Sequence, residues 1–230
     1  MSKSRGNVVN PDLLIRAYGA DATRMFLMFL GPIEDSKPWN TRGIEGVARF
    51  LRRLWREVVG KDGRINLKLT DAPEQDEDLD KLLHQTIRKV TRDNERLHLN
   101  TVVSQLMILL NRMQKTPSYS RETAKTFLQL LNPFAPHISE ELWERLGEDP
   151  SINDAPWPVF DPAKLVRDKD TVVVQVNGKV RGELRLPKGI NKDEAQDAAQ
   201  ALPRVQANLR GKTIAKIIYV PGKILNIVAR

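Results

Sequence analysis

Along the chain, the spacing of apolar residues changes once, near residue 171. Before it, apolar positions recur at intervals of three and four, the period of a helix packed on one face. Asn10-Pro11-Asp12 reads as an N-cap, a proline at the first helical position and an acid facing the helix dipole, opening a short helix that stops at Gly19. Asp21 reads as the cap of a second helix over 22–30, ended by Gly31-Pro32, and a loop carrying Trp39 follows. From Thr41 to near Gly60, Val47, Phe50, Leu51, Leu54 and Val58 fall on one side of a long helix, while Arg49, Arg52, Arg53 and Arg56 form a stripe on another. A second long helix buries Leu79, Leu82, Leu83, Thr86, Ile87 and Val90 and carries an arginine ridge, Arg88, Arg92 and Arg96, at every fourth residue. Asn100 is expected to cap the next helix and Ser120 the one after it. Asn132-Pro133-Phe134-Ala135-Pro136 interrupts the pattern before a last helix that stops at Gly147. These elements predict an all-α bundle.

Pro150, Pro156, Pro158 and Pro162 mark an extended connection. Beyond it the period becomes two, and Val172–Val176 and Val180–Leu186 read as strands around Asn177-Gly178. A two-residue loop there would set Val174 against Arg181 and mix valines with charges on one face. A three-residue loop, Val176 to Gly178, sets Val174 against Val180 and Val172 against Gly182. Val172, Val174, Val180, Leu184 and Leu186 then share one face, and Gln175, Lys179, Arg181, Glu183 and Arg185 the other. Since a one-residue slip inverts every side chain, the second register is expected, with a bulge that places Gly178 at positive φ. An Ala-rich helix from Lys192 to about Leu202, a further turn after Pro203, and a second hairpin (Ile214–Val220 and Lys223–Val228 around Pro221-Gly222) complete the chain. The expected fold is multidomain, an all-α helical bundle followed by a small α+β domain with two β-hairpins. Its divisions are 1–40, the bundle 41–150, a proline-rich linker 151–170 and the α+β domain 171–230.

Composition narrows the classes. With 230 residues, 40% of them hydrophobic, the chain can bury a core. Zero cysteines exclude disulfides, thiolate zinc sites and a Cys nucleophile. His84, His98 and His137 are too dispersed for a local metal-ligand spacing, so no metal site is expected. No apolar run approaches a membrane span, and the polar N-terminal residues lack a signal peptide's apolar stretch, which suits a soluble, cytoplasmic protein with no membrane partner. The net charge of +8 is uneven: residues 171–230 carry eleven Lys and Arg against four Asp and Glu, a net of +7. A cationic module of this kind suits a polyanion, through attraction to phosphates and release of counterions. It equally suits a solubilising surface, and composition leaves both open.

Ser2, Lys3, Ser4 and Arg5 form a polar segment before the first capped helix. Such a segment can bring an ammonium to a triphosphate, although short Lys/Ser stretches are also common at disordered termini. Context decides between them. Met1-Ser2-Lys3-Ser4, Asn7 and Arg16-Ala17-Tyr18-Gly19-Ala20-Asp21-Ala22-Thr23-Arg24 resemble the KMSKS signature of class I aminoacyl-tRNA synthetases and the segment after it. Glu45-Gly46-Val47-Ala48-Arg49-Phe50-Leu51, Leu131-Asn132-Pro133-Phe134-Ala135-Pro136-His137-Ile138 and Ala155-Pro156-Trp157-Pro158 resemble their anticodon-binding bundle. Val172-Val173-Val174-Gln175-Val176-Asn177-Gly178-Lys179-Val180-Arg181 and Ile217-Ile218-Tyr219-Val220-Pro221-Gly222-Lys223 resemble the C-terminal domain of the bacterial leucyl branch.

The resemblance implies a ligase that joins leucine to ATP as leucyl-adenylate and then passes leucine to tRNA(Leu), with ATP and Mg2+ bound in the intact enzyme. It implies that Lys3, as the signature's second lysine, stabilises phosphate charge, and that Ser2 and Ser4 shape the ATP-binding loop. The signature's first lysine is absent, as are the Rossmann domain with its His-Ile-Gly-His motif and the editing domain, so the expected partner besides tRNA is that missing catalytic part, covalent or separate. The chain reads as a C-terminal portion arising by truncation, from a split gene or from an incomplete one, inactive alone. In the family the bundle lies along the anticodon stem and the C-terminal domain reaches the tRNA's outer corner, so recognition should favour shape and backbone. Lys179, Arg181 and Arg185 on one strand face, and Lys212 and Lys216 on another strand, are the preferred phosphate contacts; Arg52, Arg53 and Arg56 are weaker candidates. Trp55 and Trp143 read as packing residues, and Trp39 as a loop anchor before an RNA-stacking residue. A free-standing RNA-binding module and a basic helical scaffold without an ATP role are the alternatives.

Overall fold

The computed structural model describes residues 3–6, 8–37, 39–40, 42–60, 62–165 and 169–230. The chain divides into two compact units, Met1–Leu165 and Val166–Arg230.

In the first unit, helix α1 (Pro11–Tyr18) opens as its sequence dictates: the Asn10 side chain accepts a 2.9 Å hydrogen bond from the Asp12 N–H. Helix α2 (Ala20–Phe29) departs from expectation. Gly19 stands at its N-cap, and Asp21 is the second residue of the helix, 8% exposed, facing α7 (Pro136–Arg145) instead. Its carboxylate accepts from the backbone N–H of Ile138 at 2.7 Å and of His137 at 3.3 Å, and meets His137 Nδ1 at 2.7 Å. Ala135, in the cap position of α7, has no side-chain oxygen to offer, so the cap arrives from 116 residues before His137. Arg24, three residues on, reaches the Pro133 carbonyl at 3.4 Å.

Helix α3 (Gly43–Val58) buries Ile44, Val47, Phe50, Leu51, Leu54 and Val58 by the predicted period; Thr41, read as its start, lies outside the described residues. Asp76 caps α4 (Glu77–Glu95) through the Leu79 N–H at 3.0 Å and also pairs with Arg112 of α5 (Leu99–Lys115). Asn100 does not cap α5: His98 occupies that position, and Asn100 falls within the first turn. The turn between α4 and α5 is a Schellman motif, with His98 N–H on the Asp93 carbonyl at 2.8 Å and Leu97 N–H on that of Asn94 at 3.0 Å. Leu97 holds the position usually given to glycine, at φ 58°. Ser120 caps α6 (Arg121–Leu131) as expected. A two-residue parallel pair unforeseen in the sequence, β1 (Leu69–Thr70) with β2 (Tyr119–Ser120), closes one end. Beside it, Tyr119 is buried near Glu57 and Glu74; burial and these carboxylates raise its pKa. The proline-rich segment is sewn to the helices as far as Leu165. Gln129 donates to the Pro156 carbonyl at 3.0 Å, Trp157 Nε1 to Thr91 Oγ1 at 2.8 Å, Asp161 N–H to His84 Nδ1 at 2.9 Å, and Lys164 pairs with Asp80 at 2.7 Å. Burial lowers the pKa of His84, which keeps Nδ1 available as an acceptor.

The second unit is a sheet of order β4-β3-β6-β5 with helices α8 (Lys192–Gln200) and α9 (Pro203–Leu209) on one face. Strands β3 (Lys169–Val176) and β4 (Lys179–Pro187) form one antiparallel hairpin, β5 (Ile214–Val220) and β6 (Ile224–Ala229) the other, and β3 joins β6 in parallel. Val172, Val174, Val176, Leu186, Leu225 and Ile227 pack with Ala195, Ala199 and Val205. The first hairpin corrects the predicted register. Its turn is the two-residue Asn177-Gly178, both at positive φ (50° and 76°), so Val176 faces Lys179 and Gln175 faces Val180. The bulge lies further along: Arg181 is the extra residue, after which Val174 pairs with Gly182 and Val172 with Leu184. A bulge within the strand thus restores the apolar alternation that a longer turn was expected to supply, and Val180 is left 59% exposed.

Two outcomes follow from these contacts. Asp21→Ala, which strands two backbone donors at the start of α7, is expected to lower unfolding free energy by about 1–3 kcal/mol, with Asn restoring part of it, as read by urea denaturation. At the end of α4, burial alone would raise the pKa of Asp93, but hydrogen bonds from Lys89, Thr101 and Arg92 outweigh it and hold the pKa at about 2. A depressed folded-state pKa means stability that is full above about pH 4 and fades as pH falls towards 2. Asp93→Asn should therefore remove about 2 kcal/mol at neutral pH and flatten this acid limb in pH-dependent denaturation.

Candidate nucleic-acid interface

The residues singled out from sequence separate into several surfaces. Ser2 lies outside the described residues; Lys3–Arg5 form a single 3-10 turn, in which the Lys3 side chain is also not described and Ser4 is exposed. Among the described residues no group of three or more His, Asp or Glu is placed to hold a metal ion, and no helix is long and apolar enough to cross a membrane.

On α3 the arginine stripe divides by function. Arg52 and Arg56 are exposed and have no ion-pair partner among the described residues. Arg53 is half-buried, and its guanidinium binds Asn111 and Gln114 on α5, with Nε at 3.1 Å from the Gln114 side-chain amide oxygen Oε1. It ties two helices and is not a free cation. Arg52 also borders a cleft of about 260 Å³ lined by Tyr18, Ala22, Leu51, Trp55 and Ile138. Trp55 is half-buried beneath the Arg145 guanidinium, 5.0 Å from the ring centre, and Trp143 is buried with Nε1 on the Pro150 carbonyl. Trp39 meets Phe26 edge-on at 5.4 Å, the contact of a loop anchor.

In the second unit the three cations expected on one strand face are not together. Lys179 sits opposite Val176, on the valine side at the sheet's end; Arg181 is the half-buried bulge residue; Arg185, opposite Thr171, belongs to the outer face. The turn and bulge invert the intervening positions, which accounts for the scatter. Lys212 precedes β5, so it does not alternate with Lys216 on that strand. Lys216, opposite Val228, is exposed on the outer face with Arg185. Lys179, Lys212 and Lys216 are all exposed, with no ion-pair partner among the described residues. The Arg181 Nε is sealed from solvent and unpaired among the described residues.

A further cationic surface carries residues that the sequence marked as a ridge without assigning them a role. Arg88, Arg92 and Arg96 line the solvent side of α4. Arg92 holds Asp93, while Arg88 and Arg96 have no ion-pair partner among the described residues. Beside them the Trp157 indole is pinned to Thr91 yet 39% exposed. The fourfold spacing of the arginines was visible in the sequence; the arrival of Trp157 from sixty-six residues away was not.

Three similarities place the chain. The family model described as the anticodon-binding domain of tRNA ligase matches residues 76–196. A leucine–tRNA ligase of Chlorobaculum parvum is 48% identical over all 230 residues, and the chain spans 28% of that relative's length. A LeuRS of Agrobacterium radiobacter K84, solved in a ternary complex with tRNA and LeuAMS, superposes with a TM-score of 0.68 at 28% identity, covering 100% of this chain and 31% of that one.

The division of the α3 stripe is testable. Arg53→Ala should cost about 1 kcal/mol or more through the lost interhelix hydrogen bonds, whereas Arg52→Ala should stay within about 0.5 kcal/mol, both read from denaturant midpoints.

Proposed function

The chain belongs to the family of tRNA-ligase anticodon-binding domains, and from that premise we propose that it is the tRNA-handling portion of a leucine–tRNA ligase. The observation that carries this reading is the extent of the similarity: a relative of that name aligns with every residue, through the helical unit and the cationic sheet unit alike. In the proposed reaction leucine and ATP form leucyl-adenylate and pyrophosphate, and leucine then passes to the 3′ end of tRNA(Leu). The helical unit and the sheet unit hold the tRNA; the segment Ser2-Lys3-Ser4 belongs to the loop over ATP. The Lys3 ammonium would offset negative charge developing on the phosphates as pyrophosphate departs, with Mg2+ accompanying them. The adenosine and leucine pockets belong to the remainder of the enzyme, which this chain joins as one polypeptide or as a partner.

The physical support for tRNA as ligand is the distribution of charge. Residues 171–230 carry +7, and Lys179, Lys212 and Lys216 extend into solvent without carboxylate partners among the described residues. Such groups displace counterions from phosphates, and the binding they produce is steep in salt.

The chain alone should bind a leucine-acceptor tRNA transcript with affinity that falls linearly on a log–log plot against salt, and should give no leucine-dependent pyrophosphate exchange. Lys179→Glu and Lys216→Glu should each weaken binding and reduce the slope by about one, with circular dichroism unchanged. Absence of tRNA binding at low salt, or exchange by the isolated chain, would overturn the reading.

A further inference from the structure

The α4–α5 turn holds a leucine where both backbone and solvent argue against one. Leu97 lies at φ 58°, a region that bulky L-residues rarely occupy and that glycine enters without steric cost. Its side chain is 59% exposed, so it contributes little to the core. The Schellman hydrogen bonds fix the backbone there whatever the side chain, since both are made by main-chain atoms. Neither local propensity nor packing therefore explains leucine at this position, and strained residues that the fold does not require collect at binding sites.

The surroundings specify what would meet it. Leu97 stands at the end of the Arg88, Arg92 and Arg96 ridge, directly after Arg96. Arg92 has an internal duty, holding the buried Asp93, and the arginines near the C-terminus of α4 also complement its dipole. Arg88 and Arg96 extend into solvent with no ion-pair partner among the described residues; Glu95 is the exposed acid beside them. Trp157 presents part of its indole on the flank, steadied through Thr91. Unpaired guanidinium groups next to a projecting aliphatic side chain and an accessible ring match a ligand with phosphates on one side and flat apolar faces on the other, which is RNA.

We propose that the α4–α5 turn is a tRNA contact in which Arg88 and Arg96 meet backbone phosphates and Leu97 presses against a base or ribose face. This rests on the reading of the chain as a tRNA-handling portion and adds to it a specific point of grip.

The test uses the 230-residue chain and a leucine-acceptor tRNA transcript, with binding measured over a salt series and stability by thermal melting. Leu97→Gly should raise the melting temperature, because the backbone conformation is relieved, yet weaken binding several-fold. Leu97→Ala should weaken binding similarly with the salt slope unchanged, since no charge is altered. Arg96→Glu should weaken binding and lower the slope by about one. Wild-type affinity in both Leu97 variants would overturn the proposal while leaving the tRNA reading standing. Failure of the wild-type chain to bind tRNA at all would overturn both.

Discussion

Helix α7 begins with a proline and is preceded by an alanine, a pair that leaves its first backbone N–H groups without a local acceptor. The Asp21 carboxylate supplies that acceptor from α2, and Arg24 on the next turn takes the Pro133 carbonyl at the same corner. Two polar side chains on one helix thus complete the start of another far along the chain, through a carboxylate that is itself buried. The apolar faces of helices α3 to α6 meet around Phe50, Leu54, Leu106, Leu110 and Phe127, in one core that also takes in Met25 and Phe26 of α2 and Leu142 of α7.

The first unit repeats this device of polar ties at helix ends. Asp76 caps its own helix and holds Arg112, Asp93 gathers Lys89, Arg92 and Thr101 at the other end of α4, and Arg53 bridges to Asn111 and Gln114. Each tie orients one helix against its neighbour, which apolar packing alone leaves loosely specified. The outer cationic residues then stand on a frame whose own charges are internally matched. That separation between structural and solvent-facing charge is what the proposed RNA contacts depend on.

Local chemistry made much of this legible in the sequence. The Asn10 and Ser120 caps, the buried faces of α3 and α4 and the helix preceding Pro203 all follow from spacing and short-range hydrogen bonding. What escaped depends on distance or on competition between two local rules. Asp21 has the residue type of an N-cap, but the helix starts one residue before it and tertiary packing sends its side chain to α7. Asn177-Gly178 obeyed its turn preference while the valines obeyed theirs, and the strand reconciled them with an extra residue at Arg181. That choice decides which cations share a face, so an error of one position dispersed the predicted patch. The site was less legible than the fold because solvent-facing residues leave no periodic mark of their own; the ridge on α4 is the exception, since its spacing follows the helix.

The cap on α7 has a bearing on recombination. A segment recognisable by family resemblance, 76–196, opens at α4 and ends within α8, whereas the compact unit that holds α4 reaches back through α1 and stops at Leu165. Grafting only the recognisable stretch into another protein would discard Met25, Phe26, Val47 and Leu54 from the interior together with the donor of α7's missing acceptor. The transplantable piece is bounded by hydrogen bonds and burial, and its borders differ from those drawn by similarity.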